Sequence, residues 1–222
     1  MADRDAEIRT LAQGATALGL QVEVNAIERA LRLLDELERW SRAYNLTAID
    51  ARSEMLTHHL LDSWSVAKFL HGTRIIDVGT GAGFPGLPLA ILAPDKEFTL
   101  LDSNGKKVRF VAHAARTLGL RNVVAIHARV EEHAPAAPFD TVLTRAFAPL
   151  PELLRKVAGS CGVDTRVLAM KGRRTETARE GLPAGWRIDS DQPLSIPGLA
   201  EERHLLVLRR ASDGSAALDS AP

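Results

Sequence analysis

Two aspartates, a run of glycines and one arginine carry the types and spacing for shared chemistry in this 222-residue chain: Asp77, Gly79, Gly81, Gly83, Asp102 and Arg145. Asp77 follows the β-branched pair Ile75-Ile76, and the alternating glycines lead through Phe84-Pro85-Gly86 into an apolar run at 87–93. Glycine admits positive φ and lets a ligand approach without a Cβ in the way, and Pro85 suits a helix opening, where its missing N–H goes unneeded. The stretch therefore reads as strand, tight turn and helix start. Gly81, Gly83 and Gly86 satisfy G-x-G-x-x-G, and Asp102 lies 21 residues after Gly81, so a dinucleotide is formally allowed. An acid just before the first glycine repels a pyrophosphate, however, and attracts a cationic amino group. S-adenosylmethionine has that group, a sulfonium and no phosphate. Asp102, ending the next apolar run at 97–102, can accept from both ribose hydroxyls, and the pairing favours S-adenosylmethionine over NAD.

Ligands of an open parallel sheet lie beyond the carboxyl ends of its strands. That rule adds Ala128-Arg129-Val130-Glu131, whose amides and Val130 could hold an adenine, with an ordinary solvated loop as the alternative. It also adds Arg145 at the end of the fourth strand. Arginine cannot accept a hydrogen bond, so it is unsuited to orienting an amine nucleophile. Cys161, expected in a helix–strand linker, is misplaced for attack on a pyrimidine. A target with a free lone pair remains, such as guanine N7 or an oxygen. Attack by N7 needs no general base, so catalysis reduces to positioning and desolvation. Arg145 could donate to guanine O6 or a phosphate, the alternative being a surface ion pair.

Lys171, Arg173 and Arg174, around Gly172 at the end of the fifth strand, could anchor an RNA backbone. Lys106 and Lys107 open the helix after Asp102, where the helix dipole disfavours cations, which hints at a phosphate. Lysine and arginine together balance aspartate and glutamate at 28 each, but residues 103–174 hold 13 basic against 5 acidic side chains. That local excess suits a polyanion, although part of it belongs to solvated helix faces. The seven histidines show no ligand spacing, so no metal is expected. A single cysteine excludes a disulfide framework, the polar N-terminus is no signal peptide, and no apolar run reaches membrane-spanning length. A cytoplasmic protein is expected, with no membrane partner.

Helical stripes at 5–19, 24–44 and 53–70 precede the first strand and are expected to form an N-terminal helical extension or cap over 1–70. Trp40 and Tyr44 read as packing residues, with base stacking as the alternative. Strands are expected at 74–78, 98–102, 123–128, 141–144 and 166–170, with helices at 86–93, 106–118, 151–158 and near 175–180. Two final strands, 186–189 and 204–208, have no helix between them, which implies an antiparallel pair at the sheet edge. The fold class is α/β, a Rossmann-like class I S-adenosylmethionine-dependent methyltransferase with a seven-stranded sheet and a terminal antiparallel hairpin over 71–210. A disordered tail is expected at 211–222.

Taken together, Asn45-Leu46-Thr47, His59-Leu60-Leu61-Asp62-Ser63, the 76–86 loop and Leu100-Leu101-Asp102-Ser103 carry a resemblance. It continues through Arg129-Val130-Glu131-Glu132, Arg145-Ala146-Phe147-Ala148, Lys171-Gly172 and Glu202-Arg203-His204-Leu205. Over about residues 25–209 the chain resembles the RsmG (GidB) family of bacterial 16S ribosomal RNA guanine-N7 methyltransferases. The resemblance implies methyl transfer from S-adenosylmethionine, giving S-adenosylhomocysteine, to a guanine in the decoding-region loop of 16S RNA. It places cofactor contacts at Gly79, Phe84, Asp102, Val130, Glu131 and Arg145. The implied partner is 16S RNA or the 30S subunit, with Arg203 joining the RNA-facing residues and a monomer as the expected state. Loss of this family's activity is associated with low-level streptomycin resistance. A small-molecule methyltransferase and a non-catalytic RNA- or nucleotide-binding protein are the alternatives. The basic middle region speaks against a small neutral substrate.

Overall fold

Ile75, Ile76, Asp77 and Val78 are all fully buried, so both faces of the first strand are covered, as a central parallel strand requires. The computed structural model describes residues 2–145, 148–172 and 181–211. Its sheet has strands β1 (Arg74–Val78), β2 (Glu97–Asp102), β3 (Val123–His127), β4 (Phe139–Arg145), β5 (Cys161–Lys171), β6 (Trp186–Pro193) and β7 (His204–Arg210). They lie in the order β3-β2-β1-β4-β5-β7-β6. The first five are parallel, and β7 runs antiparallel to both β5 and β6. The order reverses at β1, which opens a crevice between the carboxyl ends of β1 and β4.

The expected seven-stranded sheet and its terminal hairpin are present, and several strands outrun their apolar cores. β5 begins at Cys161, and β6 continues to Pro193 past a register shift between Ile188 and Ser190. Periodicity marks the buried part of a strand, whereas backbone pairing carries it on through exposed residues such as Val163. Cys161 is therefore a strand residue and not part of a linker. It lies at the amino end of β5, opposite the ligand-facing edge, and burial pushes its thiol up to about 12. The helix expected near 175–180 and nearly all of the expected tail, 212–222, fall outside the described residues.

Helix α1 (Ala2–Ala17) packs on α2 (Val24–Tyr44), which buries Ile27, Ala30, Leu31, Leu34 and Leu37 at three- and four-residue spacing. Asn45, at φ 48°, stops α2 and donates its N–H to Ser41 O at 3.1 Å. The helix expected at 53–70 is broken into α3 (Arg52–Met55), a π-helical Leu56–Leu61, α4 (Asp62–Trp64) and a 3₁₀ turn at Ala67–Phe69. Across the wide turn Asp62 N–H reaches Thr57 O, five residues back. After β1 come α5 (Gly86–Leu92) and, after β2, α6 (Gly105–Thr117), whose first turn is capped by Asn104 Oδ1. On the other face, α7 (Leu150–Val157) buries Leu150, Leu153, Leu154 and Val157. One buried cluster runs from Leu11 and Leu34 through Trp64, Phe84, Leu87, Phe98 and Phe110 to Leu205, joining the N-terminal helices to the sheet. A second packs α7 against Ile76, Val142, Val167 and Leu206.

Candidate active site

The glycine loop leaves β1 with Gly79, Gly81 and Gly83 at φ 68°, 60° and 88°, conformations that a side chain would strain. Asp77 holds the loop from beneath. Its Oδ2 accepts from Thr80 Oγ1 at 2.7 Å and from Gly86 N–H at 2.9 Å. Gly86 must lack a side chain because a Cβ there would run into Leu100 and lie 2.8 Å from Asp77 Oδ2. Burial raises Asp77 to about 6, against the lowering pull of Thr80, Gly86 N–H and the Arg145 charge. Its other oxygen, Oδ1, is buried with no hydrogen-bond partner among the described residues.

Asp102 ends β2 beside the loop, where β1 pairs Val78 with Leu101. Its Oδ2 accepts from Gly81 N–H at 2.9 Å and its Oδ1 from Asn104 N–H at 2.7 Å. A carboxylate has about four acceptor positions, so two stay available toward the adjoining cleft. That cleft, of 240 Å³, is lined by Gly79, Asp102, Ala128, Arg129, Val130, Glu131 and Lys156. Val130 supplies a buried apolar wall, while Arg129 and Glu131 are exposed at the rim. Lys156 comes from α7, 2.8 Å from Glu152 and 3.5 Å from Glu131. Sequence reading missed it, since a lysine on an amphipathic helix looks like any solvated residue.

Arg145 closes the opposite lip of the crevice. Its Nη1 donates to His58 O and to Asp62 Oδ2, both at 2.9 Å. Asp62 Oδ1 lies 3.6 Å from Arg203 Nε, so one buried acid faces two arginines. The Arg145 guanidinium also sits 6.0 Å from the Phe84 ring centroid. Phe84 in turn stacks on His59 at 4.5 Å and 21°. His59 Nε2 lies 3.0 Å from Thr47 Oγ1. Burial first, then the nearby Arg145 and His58 charges, holds His59 down at about 3, so it is neutral. Thr47, His59 and Asp62 lie within the motifs that carried the resemblance, yet no local pattern had assigned them a place beside Arg145.

The expected residues thus divide. Gly79, Asp102, Arg129, Val130 and Glu131 share one cleft; Asp77, Gly81, Gly83 and Phe84 build the loop beside it; Arg145 stands across the crevice. Lys107 Nζ lies 3.9 Å from where a Cβ on Gly81 would stand, and Lys106 is exposed. Lys171 Nζ donates to Ala148 O at 3.2 Å, and Arg203 faces Asp62. Arg173 and Arg174 lie outside the described residues. Among the described residues no group of three or more histidine, cysteine, aspartate or glutamate side chains could hold a metal ion, and no helix is long and apolar enough to cross a membrane.

A family profile described as rRNA small subunit methyltransferase G matches residues 26–206. The chain is 46% identical over 205 residues to the ribosomal RNA small subunit methyltransferase G of Methylococcus capsulatus, covering 92% of this chain and 100% of that one. It is 44% identical over 202 residues to the protein of the same name from Pseudomonas syringae pv. syringae, covering 91% and 94%. Among solved structures, a SAM dependent methyltransferase from Aquifex aeolicus superposes with a TM-score of 0.54 at 17% identity, over 75% of this chain and 97% of that one, a likeness of fold.

Proposed function

The chain belongs to the rRNA small subunit methyltransferase G family, and from that premise we propose that it methylates N7 of a guanine in the decoding-region loop of 16S ribosomal RNA. The methyl donor is S-adenosylmethionine and the product S-adenosylhomocysteine. The observation that carries this reading is the β1–β4 crevice, with two carboxylates under a glycine loop on one lip and an anchored arginine on the other.

The residues present fit the donor. The two remaining acceptor positions of Asp102 suit a pair of ribose hydroxyls, the Val130 wall suits a purine, and the unpartnered Asp77 Oδ1 suits an ammonium. When bound, the donor supplies a sulfonium methyl open to in-line displacement. The chain's part is to hold the two reactants in line and exclude water, since guanine N7 has a free lone pair and needs no base. Arg145, with Nη1 committed to Asp62 and His58 O, presents its cation at the crevice toward guanine O6 or a flanking phosphate. The enzyme works as a monomer in the cytoplasm, on 16S RNA within or ahead of the 30S particle.

The test is incubation with labelled S-adenosylmethionine and 30S subunits or 16S RNA from cells lacking the modification, followed by mapping of the labelled base. Label at N7 of one decoding-region guanine, lost in Arg145→Ala, is the expected result. No label, or label at another atom, overturns the reading.

A further inference from the structure

Of the large hydrophobic side chains exposed among the described residues, Tyr44 alone is aromatic, with 46% of its surface open. Its ring lies 5.5 Å from that of Trp40, at 37°. Trp40 is fixed from behind by Phe110 at 5.7 Å and His113 at 4.9 Å. The half-buried indole is thus a packing residue, and the outer phenol is a ring in tilted contact with it that leaves nearly half of its surface open. Core packing leaves so much exposed tyrosine unexplained.

The position of that ring follows from how α2 meets α6. Arg29 Nη2 donates to Leu118 O at 3.0 Å, and Glu36 meets His113 at 2.9 Å. Trp40 meets Phe110 and His113, so the two helices run antiparallel. One further turn of α2 brings Tyr44 toward the opening of α6, where Lys106 and Lys107 stand. Lys107 Nζ in turn hangs over Gly81 of the glycine loop. In the other direction the chain runs only three residues from Tyr44 to Thr47, which bonds His59 on Phe84. Tyr44 therefore stands between the basic end of α6 and the lip that carries Arg145.

The charged residues nearest Tyr44 along the chain, Arg42 and Arg39, are basic. Residues 39–49 include Arg39 and Arg42 and no acid, and residues 103–130 include six lysines and arginines and no acid. Of the acids on α2 before it, Glu38 pairs with Arg52 at 3.3 Å, and Glu36 is taken up by Arg39 at 3.2 Å and His113. An open ring among cations suits single-stranded nucleic acid, whose bases stack on aromatics while its phosphates meet the cations. An apolar peptide would leave those cations without partners.

We propose that Tyr44, backed by Trp40 and flanked by Arg42, Lys106 and Lys107, is the stacking platform for an unpaired nucleotide next to the methylated guanine. The proposal rests on the RNA-methyltransferase reading above and adds to it the surface that grips the RNA outside the crevice. The experiment compares Tyr44→Leu and Tyr44→Trp with the wild type on 30S subunits lacking the modification. It reads KM and kcat for the subunit, the Kd of S-adenosylhomocysteine and the melting temperature. Tyr44→Leu raises KM at least about fivefold, the lower range for loss of one stacked base, with kcat, cofactor Kd and melting unchanged. Tyr44→Trp keeps the wild-type KM. Lys106→Gln lowers the slope of log KM against log salt by about one. A wild-type KM in Tyr44→Leu, on subunits that the wild type methylates, overturns the platform alone. A raised KM that tryptophan does not restore, together with a lower melting temperature, makes the tyrosine structural and overturns it as well. Wild type that labels no RNA removes the functional reading, and the platform with it.

Discussion

The Asp62 carboxylate, on the N-terminal helices and only 3% exposed, holds Arg145 Nη1 at 2.9 Å across the seam to β4. The arginine at the crevice is thus aimed by a residue 83 positions earlier in the chain. The seam is closed further by His58 O on the same guanidinium nitrogen and by Arg203 beside the other Asp62 oxygen.

Removing this acid should uncouple Arg145 from the helices. Asp62→Ala leaves a 26%-exposed guanidinium without its carboxylate and costs on the order of 3 kcal/mol in denaturant unfolding. The rate of single-turnover methyl transfer should fall at least about tenfold, as expected when a charged group is misplaced. Asp62→Asn, which keeps one acceptor for Nη1, should retain more of both. A full single-turnover rate in Asp62→Ala would remove the positioning role.

Two buried titrations of opposite sign meet in the acid range. Asp77 is raised from 3.8 to about 6, so the unfolded chain ionises first and stability drains away as pH climbs from 4 to 6. His59 is lowered from 6.5 to about 3, so the unfolded chain gains the proton first and stability drains away as pH falls below 6.5. Each slope is about 1.4 kcal/mol per pH unit, and between pH 4 and 6 they offset one another. Urea midpoints at pH 4–7 should therefore show Asp77→Asn more acid-sensitive than wild type and His59→Gln less so. Parallel curves for all three proteins would refute both assignments.

Glycines of the loop should differ in what an added methyl does. At Gly86 it meets Leu100 and the Asp77 carboxylate, so Gly86→Ala should cost about 1–3 kcal/mol by overpacking. At Gly81, where φ is 60° and the space is open, alanine should cost only about 1 kcal/mol of backbone strain. Thermal melts rank the two, and an equal or reversed order would count against the close packing around Gly86.

Asp102 ties the glycine loop to the turn after β2 and lines the cleft. Asp102→Ala frees Gly81 N–H and Asn104 N–H and removes the acceptors proposed for a ribose. S-adenosylhomocysteine binding should weaken by about 1–3 kcal/mol in calorimetry. An unchanged Kd would move the nucleoside elsewhere.

Much of this architecture is legible locally. The alternating glycines after Asp77 announce positive φ, and all three adopt it. The helix-free linker before residue 204 announces the antiparallel β6–β7 pair. The apolar stripe at 24–44 coincides with α2, and the strand ends bearing Asp102 and Arg145 stand where the βα alternation puts them. The break in the helix after Met55 had no such sign, because leucines and histidines fit an α-turn and a π-turn equally. Nor did periodicity show that Cys161 starts a strand whose first residues are half-exposed.

The sequence alone determined the strand–glycine–helix unit, the pair of acids around it and the fold class, because strain at positive φ and the period of buried side chains act between near neighbours. Only the tertiary structure decided that Thr47, His59, Asp62, Phe84, Arg145 and Arg203 form one cluster. Those residues come from helices, from two separate loops, and from the end of β4 and the residue before β7, which share one edge of the sheet. They meet because the apolar faces of the N-terminal helices are buried against the same core as the strands, and burial of that kind is a sum over remote contacts that no local window contains.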